Sequence, residues 1–230
     1  MEMPRTEKWG VSAPLEPLTG GHRNQVFRAR NVVFKSTTRS PEAIAWLVDV
    51  HRCARAANIL VPEFLQSEGG SLIEDGWTCE AFIQGTHPYE DELVDLQPQI
   101  IEFHSATIDI KQRPGFRSSV DLLRFSSGGD VNLDVMPVAL VEKCRRAWSA
   151  VSDRQTVIVH GDLNSANIIK TRNGDLAIID WDESRRDLAL FDLGQVSEDG
   201  EKNRQARLAW EVACSWVLEP EHAQKLASRL

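Results

Sequence analysis

The sequence predicts an α+β fold in two lobes, an N-terminal antiparallel sheet with one helix and a mainly helical C-terminal lobe. Up to residue 82, short β-prone stretches alternate with glycine turns. After residue 82, apolar residues mostly recur at helical spacing. The exception is a strand-loop-strand pattern over 157–179, which places acids and an amide at strand ends. We place residues 1–82 in the N-terminal lobe and residues 83–230 in the C-terminal lobe.

Composition and charge exclude several classes of protein. The net charge of −8 over 230 residues disfavours a nucleic acid partner, because such binding needs clustered Lys and Arg. No apolar run of about 18 residues predicts a membrane span, and the polar start lacks the apolar core of a signal peptide. The four cysteines contain no Cys-x-x-Cys pair, which argues against zinc and disulfides. We therefore expect a cytoplasmic protein without a membrane or nucleic acid partner.

The first two predicted strands meet near residues 30–31 and bring a glycine pair close to a lysine. Gly20 and Gly21 precede the first strand, and adjacent glycines let backbone N–H groups approach a phosphate closely. Lys35 ends the second strand, where a cation can reach the same phosphate. Taken alone, the glycines are better explained as a structural turn, and exposed lysines at strand ends are common.

A helix is predicted from Pro41 to about Ala57. Ser40 supplies a capping hydroxyl, and Pro41 suits the first helical position. Glu42 lies near the positive end of the helix dipole, which favours an acid there. The helix therefore has a well-defined start immediately after the lysine strand.

The remaining elements complete both lobes. Three strands joined by glycine turns are predicted at 63–66, 71–74 and 77–82. A connector over 83–88 then leads into helices at 93–107, 137–151, 201–217 and 220–230. The N-terminal lobe thus carries about five strands and one helix.

The strand-loop-strand stretch carries the chemistry. After the strand 157–160, the loop presents Asp162 and, five positions later, Asn167. A return strand starts at residue 168, and after a turn at residues 173–174 the strand 176–179 leads to Asp180. Such a set suits phosphoryl transfer, in which the protein mainly positions groups and neutralises charge. Asp162 is predicted to be the base, and Asn167 and Asp180 are predicted to hold Mg²⁺, because hard cations prefer oxygen ligands.

These motifs resemble a known family. His-Gly-Asp-Leu-x-x-x-Asn over 160–167, followed by Ile-Asp-Trp-Asp over 179–182, is similar to the catalytic and metal-binding loops of the aminoglycoside phosphotransferase and choline kinase-like family. The resemblance implies a two-lobed protein-kinase-like fold. The alternative is that His-Gly-Asp is a tight turn and Asp180 a strand-end cap.

The resemblance also implies roles in the N-terminal lobe. The turn at Gly20 and Gly21 would cover the nucleotide phosphates, and Lys35 would bind them. A glutamate on the helix pairs with the lysine in such folds, so Glu42 either fills that role or only serves the helix terminus. Backbone groups from Glu80 to Phe82 would meet the adenine edge.

Supporting roles fall on residues around the two loops. His160 and Asp182 flank the predicted base and metal ligand, and the resemblance implies that Asp192 caps the next helix and braces the catalytic loop. We expect His104 to be a core or loop-bracing histidine. Trp210 and Trp216 either line a substrate pocket or, as is commoner for helix residues, belong to the core.

The resulting prediction is a kinase that moves the γ-phosphate of ATP or GTP to a hydroxyl of a small molecule with Mg²⁺. Gly161 replaces an arginine that protein kinases use, and no Ala-Pro-Glu motif follows, so a protein substrate is disfavoured. One alternative is a nucleotide-binding module without turnover. Another is a metal-dependent phosphohydrolase, which ranks last because the several histidine ligands usual for such sites are missing.

The acceptor and the oligomeric state stay open at this level. Aminoglycosides, choline-like amines, sugars and amino-acid alcohols all suit the fold that the resemblance implies. Five acids near the C-terminal end either attract a cationic acceptor or form a solvated charged surface. They are Glu183, Asp187, Glu198, Asp199 and Glu201. Since 50 residues follow Asp180, we expect an acceptor site that is either more open than in relatives or completed by a second subunit.

Overall fold

The computed structural model describes residues 3–18, 24–194 and 200–230 and confirms the α+β fold class. The N-terminal region forms a five-stranded antiparallel sheet in the order β1-β2-β3-β5-β4. Its elements are β1 (Glu16–Pro17), β2 (Val26–Ala29), β3 (Val32–Ser36), α1 (Pro41–Ala56), β4 (Phe64–Leu65) and β5 (Trp77–Ala81). The division of the chain at residues 82 and 83 stays a prediction.

Helix α1 begins as its sequence predicts. The Ser40 hydroxyl oxygen accepts a hydrogen bond from the Ala43 N–H at 3.2 Å, and Pro41 occupies the first turn. The buried face of α1 packs into a core shared with the helix Gln97–Ala106 and with Ile158, Ile168 and Ile178. This packing joins the helix of the first region to the second.

The C-terminal region is mainly helical and contains two short β ladders next to the site. Its helices are α2 (Gln97–Ala106), α3 (Val138–Ser149), α4 (Leu190–Leu193), α5 (Glu201–Leu218) and α6 (Pro220–Ala227). Its strands are β6 (Gly85–Thr86), β7 (Ser127–Gly128), β8 (Val131–Asn132), β9 (Thr156–Val159), β10 (Ile168–Thr171), β11 (Leu176–Ile178) and β12 (Arg185–Leu188). Strand β9 pairs with β12, and β10 pairs with both β11 and β6.

The strands differ from the prediction at several places. The predicted strand at 71–74 is reduced to a single bridge between Glu74 and Trp77 around the Asp75-Gly76 turn. The connector at 83–88 contains β6, which adds to the β10–β11 ladder. Strand β12 was not predicted, because its Arg-Arg-Asp-Leu sequence has no apolar alternation.

No helix in the described parts of the chain is long and apolar enough to cross a membrane.

Candidate active site

The catalytic loop brings the predicted base against the predicted amide ligand. Asp162 and Asn167 lie at the two ends of the loop between β9 and β10. The Asn167 Nδ2 group donates to Asp162 Oδ2 at 2.9 Å and to the Asp162 carbonyl at 2.8 Å. Because its nitrogen is used in this way, Asn167 has Oδ1 as the oxygen that can face a cation.

His160 connects the catalytic loop to the strand that carries Asp180. Its Nε2 donates to the carbonyl of Ile179 at 2.9 Å, and its Nδ1 accepts the N–H of Asp162 at 3.3 Å. The ring packs against Trp181 with centroids 4.9 Å apart. The buried imidazole of His160 therefore fixes the distance between Asp162 and Ile179, the residue before Asp180.

Asp192 holds the same loop in place through hydrogen bonds to its backbone. Its two carboxylate oxygens accept the backbone N–H groups of His160 and Gly161, both at 2.9 Å. His104 Nε2 lies 3.0 Å from Asp192 Oδ2, as expected for a loop-bracing histidine. Burial raises the pKa of Asp192, but the bond and charge of His104 and the Gly161 N–H lower it overall. The geometry thus agrees with the bracing contact predicted for Asp192. The predicted helix cap is wrong, because Asp192 lies inside the short helix Leu190–Leu193 and Ala189 is its N-cap.

Gly161 fits this position because its backbone has φ +89°, a conformation that favours glycine. A Cβ there would lie 2.5 Å from Arg185 Nη1 and 2.9 Å from the Glu183 carbonyl oxygen. A side chain at residue 161 therefore has no room, which explains the missing arginine of protein kinases in local terms.

Asp180 follows β11 in a left-handed backbone conformation, φ 60° and ψ 61°. Non-glycine residues seldom adopt this conformation, and strain of this kind is concentrated at functional sites. Its Oδ1 lies 3.4 Å from Lys35 Nζ, and its side chain is 42% exposed. Asp162, Asn167 and Asp180 line one cavity, so the predicted set does converge.

The donor set fits Mg²⁺ by its chemistry. Asn167 and Asp180 offer an amide oxygen and a carboxylate, and Mg²⁺ usually takes its other ligands from phosphates and water. Among residues 3–18, 24–194 and 200–230, no group of three or more His, Cys, Asp and Glu side chains is arranged to hold a metal. A Mg²⁺ ion with two protein ligands would therefore depend on the nucleotide and water for its remaining ligands.

Burial raises the pKa of Asp162 above its usual value of 3.8, and the nearby charge of Asp180 adds to this rise. The neighbouring His160 and the hydrogen bonds from Asn167 and Asn164 oppose it. The Asp162 side chain is exposed on the cavity side, so the effect of burial on its pKa comes from the protein atoms on its other sides. A carboxylate held in this way is a stronger base than an ordinary aspartate.

Lys35 reaches the site from β3, as predicted, but its partner differs from the predicted one. Its Nζ lies 3.5 Å from Glu80 Oε2 and 3.4 Å from Asp180 Oδ1. Burial lowers the pKa of Lys35, yet Asp180, Glu80 and Asp182 raise it overall, so the ammonium form is retained.

The predicted ion pair between Glu42 and Lys35 is wrong. Glu42 is exposed in the first turn of α1, where its own backbone N–H and the Ser40 hydroxyl lower the pKa of its carboxyl. It therefore serves the helix terminus, the other role considered for it. The partner of Lys35 comes from a neighbouring strand because strand register, rather than helix position, brings an acid close.

Two nucleotide-binding predictions remain predictions. Gly20 and Gly21 lie outside the described residues. In the segment from Glu80 to Phe82, the N–H of Ala81 donates to Glu63 and that of Phe82 to Asn31, both at 2.8 Å. A base at this edge would therefore have to use carbonyl oxygens or the backbone that follows.

Arg39 was missed by the sequence reasoning. It lies between β3 and α1 and binds Asp130 through two bonds of 2.8 Å and Asp182 through bonds of 2.8 and 3.1 Å. Buried Arg113 adds a 2.7 Å bond to the Asp182 carbonyl. Burial raises the pKa of Asp182, but the bonds and charge of Arg39 lower it overall. A single arginine in a polar loop gives no sequence signal for this role.

The site opens into a cavity of about 450 Å³ that continues to α5 and α6. Besides the catalytic residues, its lining includes Glu183, Trp210, Glu211, Glu219 and His222. Trp210 lines the cavity and also belongs to the core, since only 6% of it is exposed.

Of the acids predicted to attract a cation, Glu183 lines the cavity. Asp187 is buried against Arg185, and Glu201 is exposed on α5. Glu198 and Asp199 lie outside the described residues. Glu211 and Glu219 were not predicted, because their place depends on how α5 and α6 pack.

The chain is similar to known proteins in sequence and in structure. A family model described as "Phosphotransferase enzyme family" matches residues 14–216. No match is found among curated proteins. Solved structures with the same fold include an aminoglycoside phosphotransferase from Alicyclobacillus acidocaldarius, at 13% identity and a TM-score of 0.57, covering 100% of this chain and 95% of that one.

Two further structures are similar. A choline kinase from Streptococcus pneumoniae has 14% identity and a TM-score of 0.60, with 98% of each chain covered. A spectinomycin phosphotransferase in complex with ADP and spectinomycin has 12% identity and a TM-score of 0.58, covering 96% of this chain and 86% of that one. At these identities the likeness shows the fold.

Proposed function

The chain belongs to the phosphotransferase enzyme family, and we propose that it moves the γ-phosphate of ATP or GTP to a hydroxyl of a small molecule. Family membership confirms the resemblance seen in the motifs from His160 to Asp182. The observation that carries the proposal is the convergence of Lys35, Asp162, Asn167 and Asp180 on one cavity.

The roles follow from the contacts. Asp162 accepts the proton of the attacking hydroxyl, because its carboxylate is oriented by Asn164 and Asn167 and faces the cavity. Asn167 Oδ1 and the Asp180 carboxylate would hold Mg²⁺, which when bound neutralises phosphate charge. Lys35 adds a fixed positive charge opposite them, which favours the transferring phosphoryl group.

The nucleotide and the acceptor class have support from one similar structure. The spectinomycin phosphotransferase is bound to ADP and to a small molecule, which supports a nucleotide co-substrate and a small acceptor here. Around Trp210 the cavity lining carries three acids, Glu183, Glu211 and Glu219. They outnumber the basic side chains of Arg207 and His222, which favours an acceptor with an amino group. Aminoglycosides and amino alcohols fit this description better than neutral sugars.

The alternative is a nucleotide-binding module without turnover. The catalytic geometry favours the enzyme, since a binding module has no need of a carboxylate oriented by two asparagines. A thermal-shift assay with Mg-ATP and Mg-GTP, followed by a phosphorylation screen over aminoglycosides, amino alcohols and sugars, separates the two. We expect a shift with at least one nucleotide and phosphorylation of an amine-bearing alcohol.

The outcomes of that screen have distinct meanings. A nucleotide shift without phosphorylation of any hydroxyl in the panel would support the binding module. Absence of a shift with both nucleotides would overturn both readings. Phosphorylation of neutral sugars in preference to amines would keep the kinase and reject the proposed acceptor class.

A further inference from the structure

Glu80 is a carboxylate buried in the middle of the N-terminal sheet. Its strand, β5, lies between β3 and β4, and the residue is only 7% exposed. Burial raises the pKa of Glu80, and the charge and hydrogen bond of Lys35 oppose that rise. Burying a carboxylate costs free energy unless it is paired, so packing alone does not account for an acid at this position. The charge that it faces must be considered.

That charge is the ammonium of Lys35, and strand register brings the two together. Strands β3 and β5 run antiparallel with Val33 opposite Glu80 and Lys35 opposite Thr78. Lys35 and Glu80 are therefore diagonal neighbours on one face of the sheet, within reach of long side chains. Their charged atoms lie 3.5 Å apart.

Helix α1 provides no acid on this side. Its sequence contains two, Glu42 and Asp49, and both are exposed at the surface. The residues of α1 that line the same small pocket as Glu80 are the apolar Ile44 and Leu47. The lysine therefore has acids from the sheet and from the metal loop, but none from the helix.

We propose that Glu80 is the positioning residue that aims Lys35 at the nucleotide phosphates, in place of a helix glutamate. The inference rests on the proposed function. Asp180, the other acid at 3.4 Å, is the expected metal ligand, so its charge is shared with Mg²⁺ when the nucleotide binds. Glu80 is then the partner that holds Lys35, and the aim of the lysine does not depend on movement of α1.

The test is Glu80→Gln, which keeps the shape of the side chain and removes its charge. Lys35 should then be drawn onto Asp180, where it competes with Mg²⁺. We expect kcat/KM to fall by about 10²-fold, the scale of a misplaced catalytic group. Without turnover, calorimetry should show weaker binding of ADP and a higher Mg²⁺ concentration for half-maximal binding. Glu42→Gln is the matched control and should leave all of these values unchanged.

A purely structural role would lower the melting temperature of Glu80→Gln without changing the Mg²⁺ requirement, and that result would overturn the inference. If Glu80→Gln does not fold, Glu80→Asp carries the test, since it shortens the side chain by roughly 1.5 Å and takes the carboxylate beyond ion-pair distance. A folded Glu80→Asp with wild-type ADP affinity and kcat/KM would equally contradict it. Absence of ADP binding by the wild type would instead reject the proposed function.

Discussion

Around the catalytic loop, the hydrogen bonds to buried Asp192 are 2.9 Å long, whereas Lys35 lies 3.4 and 3.5 Å from its two carboxylate partners. Bonds from backbone N–H groups to a buried carboxylate are strong and directional. The loop is therefore held by the fold alone, before any substrate is present.

The lysine side is held by charge rather than by short bonds. Lys35 is attracted by two acids within ion-pair distance, and a bound Mg²⁺ would change the charge of one of them. The comparison indicates a preformed base and a lysine whose final position depends on the metal and the nucleotide. Variants on the two sides should therefore fail in different ways.

The largest expected effect is on the catalytic-loop side. Asp162→Ala should reduce phosphotransfer by at least about 10²–10⁴-fold, the range for loss of a positioned base, because the variant removes the carboxylate that accepts the hydroxyl proton. Nucleotide affinity should stay nearly unchanged, since Lys35 and Asp180 are intact. Steady-state kinetics and ADP calorimetry check both parts. Wild-type turnover in this variant would remove the assignment of the base.

Asp192→Asn tests whether the brace is part of the fold. The amide keeps one acceptor oxygen and places an NH₂ group against a backbone N–H, so one buried donor loses its partner. We expect the free energy of unfolding to fall by about 1–3 kcal/mol, with a parallel loss of kcat. Urea unfolding measures the first quantity. Asp175→Asn, on an exposed turn, is the control, and an equal change in both variants would reject the role of the brace.

The pH dependence gives a smaller effect. Asp162 must be ionised to act, and burial raises its pKa, so kcat/KM should fall on the acid side with a midpoint above the ordinary value of 3.8. Asp192 has a lowered pKa, so its titration lies below this window. Rates measured between about pH 4 and 8 locate the midpoint. A midpoint of kcat/KM at or below the ordinary aspartate pKa would show that burial does not raise the pKa of Asp162.

The smallest effect is expected at Glu42. Because this acid serves the start of α1 and is exposed, Glu42→Gln should leave kcat, KM and the Mg²⁺ requirement unchanged and lower the melting temperature only slightly. A clear rise in the KM for the nucleotide would restore Glu42 as the partner of Lys35. It would also contradict the view that only sheet and loop acids hold this lysine.

The catalytic loop was predictable because its residues are close in sequence. Asp162, Asn167 and Asp180 fall within one strand-loop-strand unit, and the turn at 173–174 forces β10 and β11 into an antiparallel pair. The same holds for the Ser40 cap and most helices, whose signals are local.

The unpredicted features depend on contacts between distant segments. Glu80 meets Lys35 through the pairing of two strands, and Arg39 meets Asp130 across 91 positions. Strand β12 escaped detection because Arg185 and Asp187 are charged. Their burial depends on their 2.8 Å ion pair and on further bonds, including those from Ser119 to Asp187. Residue patterns do not contain such pairings.

The most direct test of the account is the Mg²⁺ dependence of ADP binding, measured by calorimetry in the wild type and in Asp180→Ala. If Asp180 and Asn167 hold the metal against the phosphates, Mg²⁺ should strengthen binding to the wild type and have no effect on Asp180→Ala. Equal strengthening by Mg²⁺ in both proteins would contradict the assignment of the metal site. It would also contradict the proposal that the catalytic loop and Lys35 act on the same nucleotide.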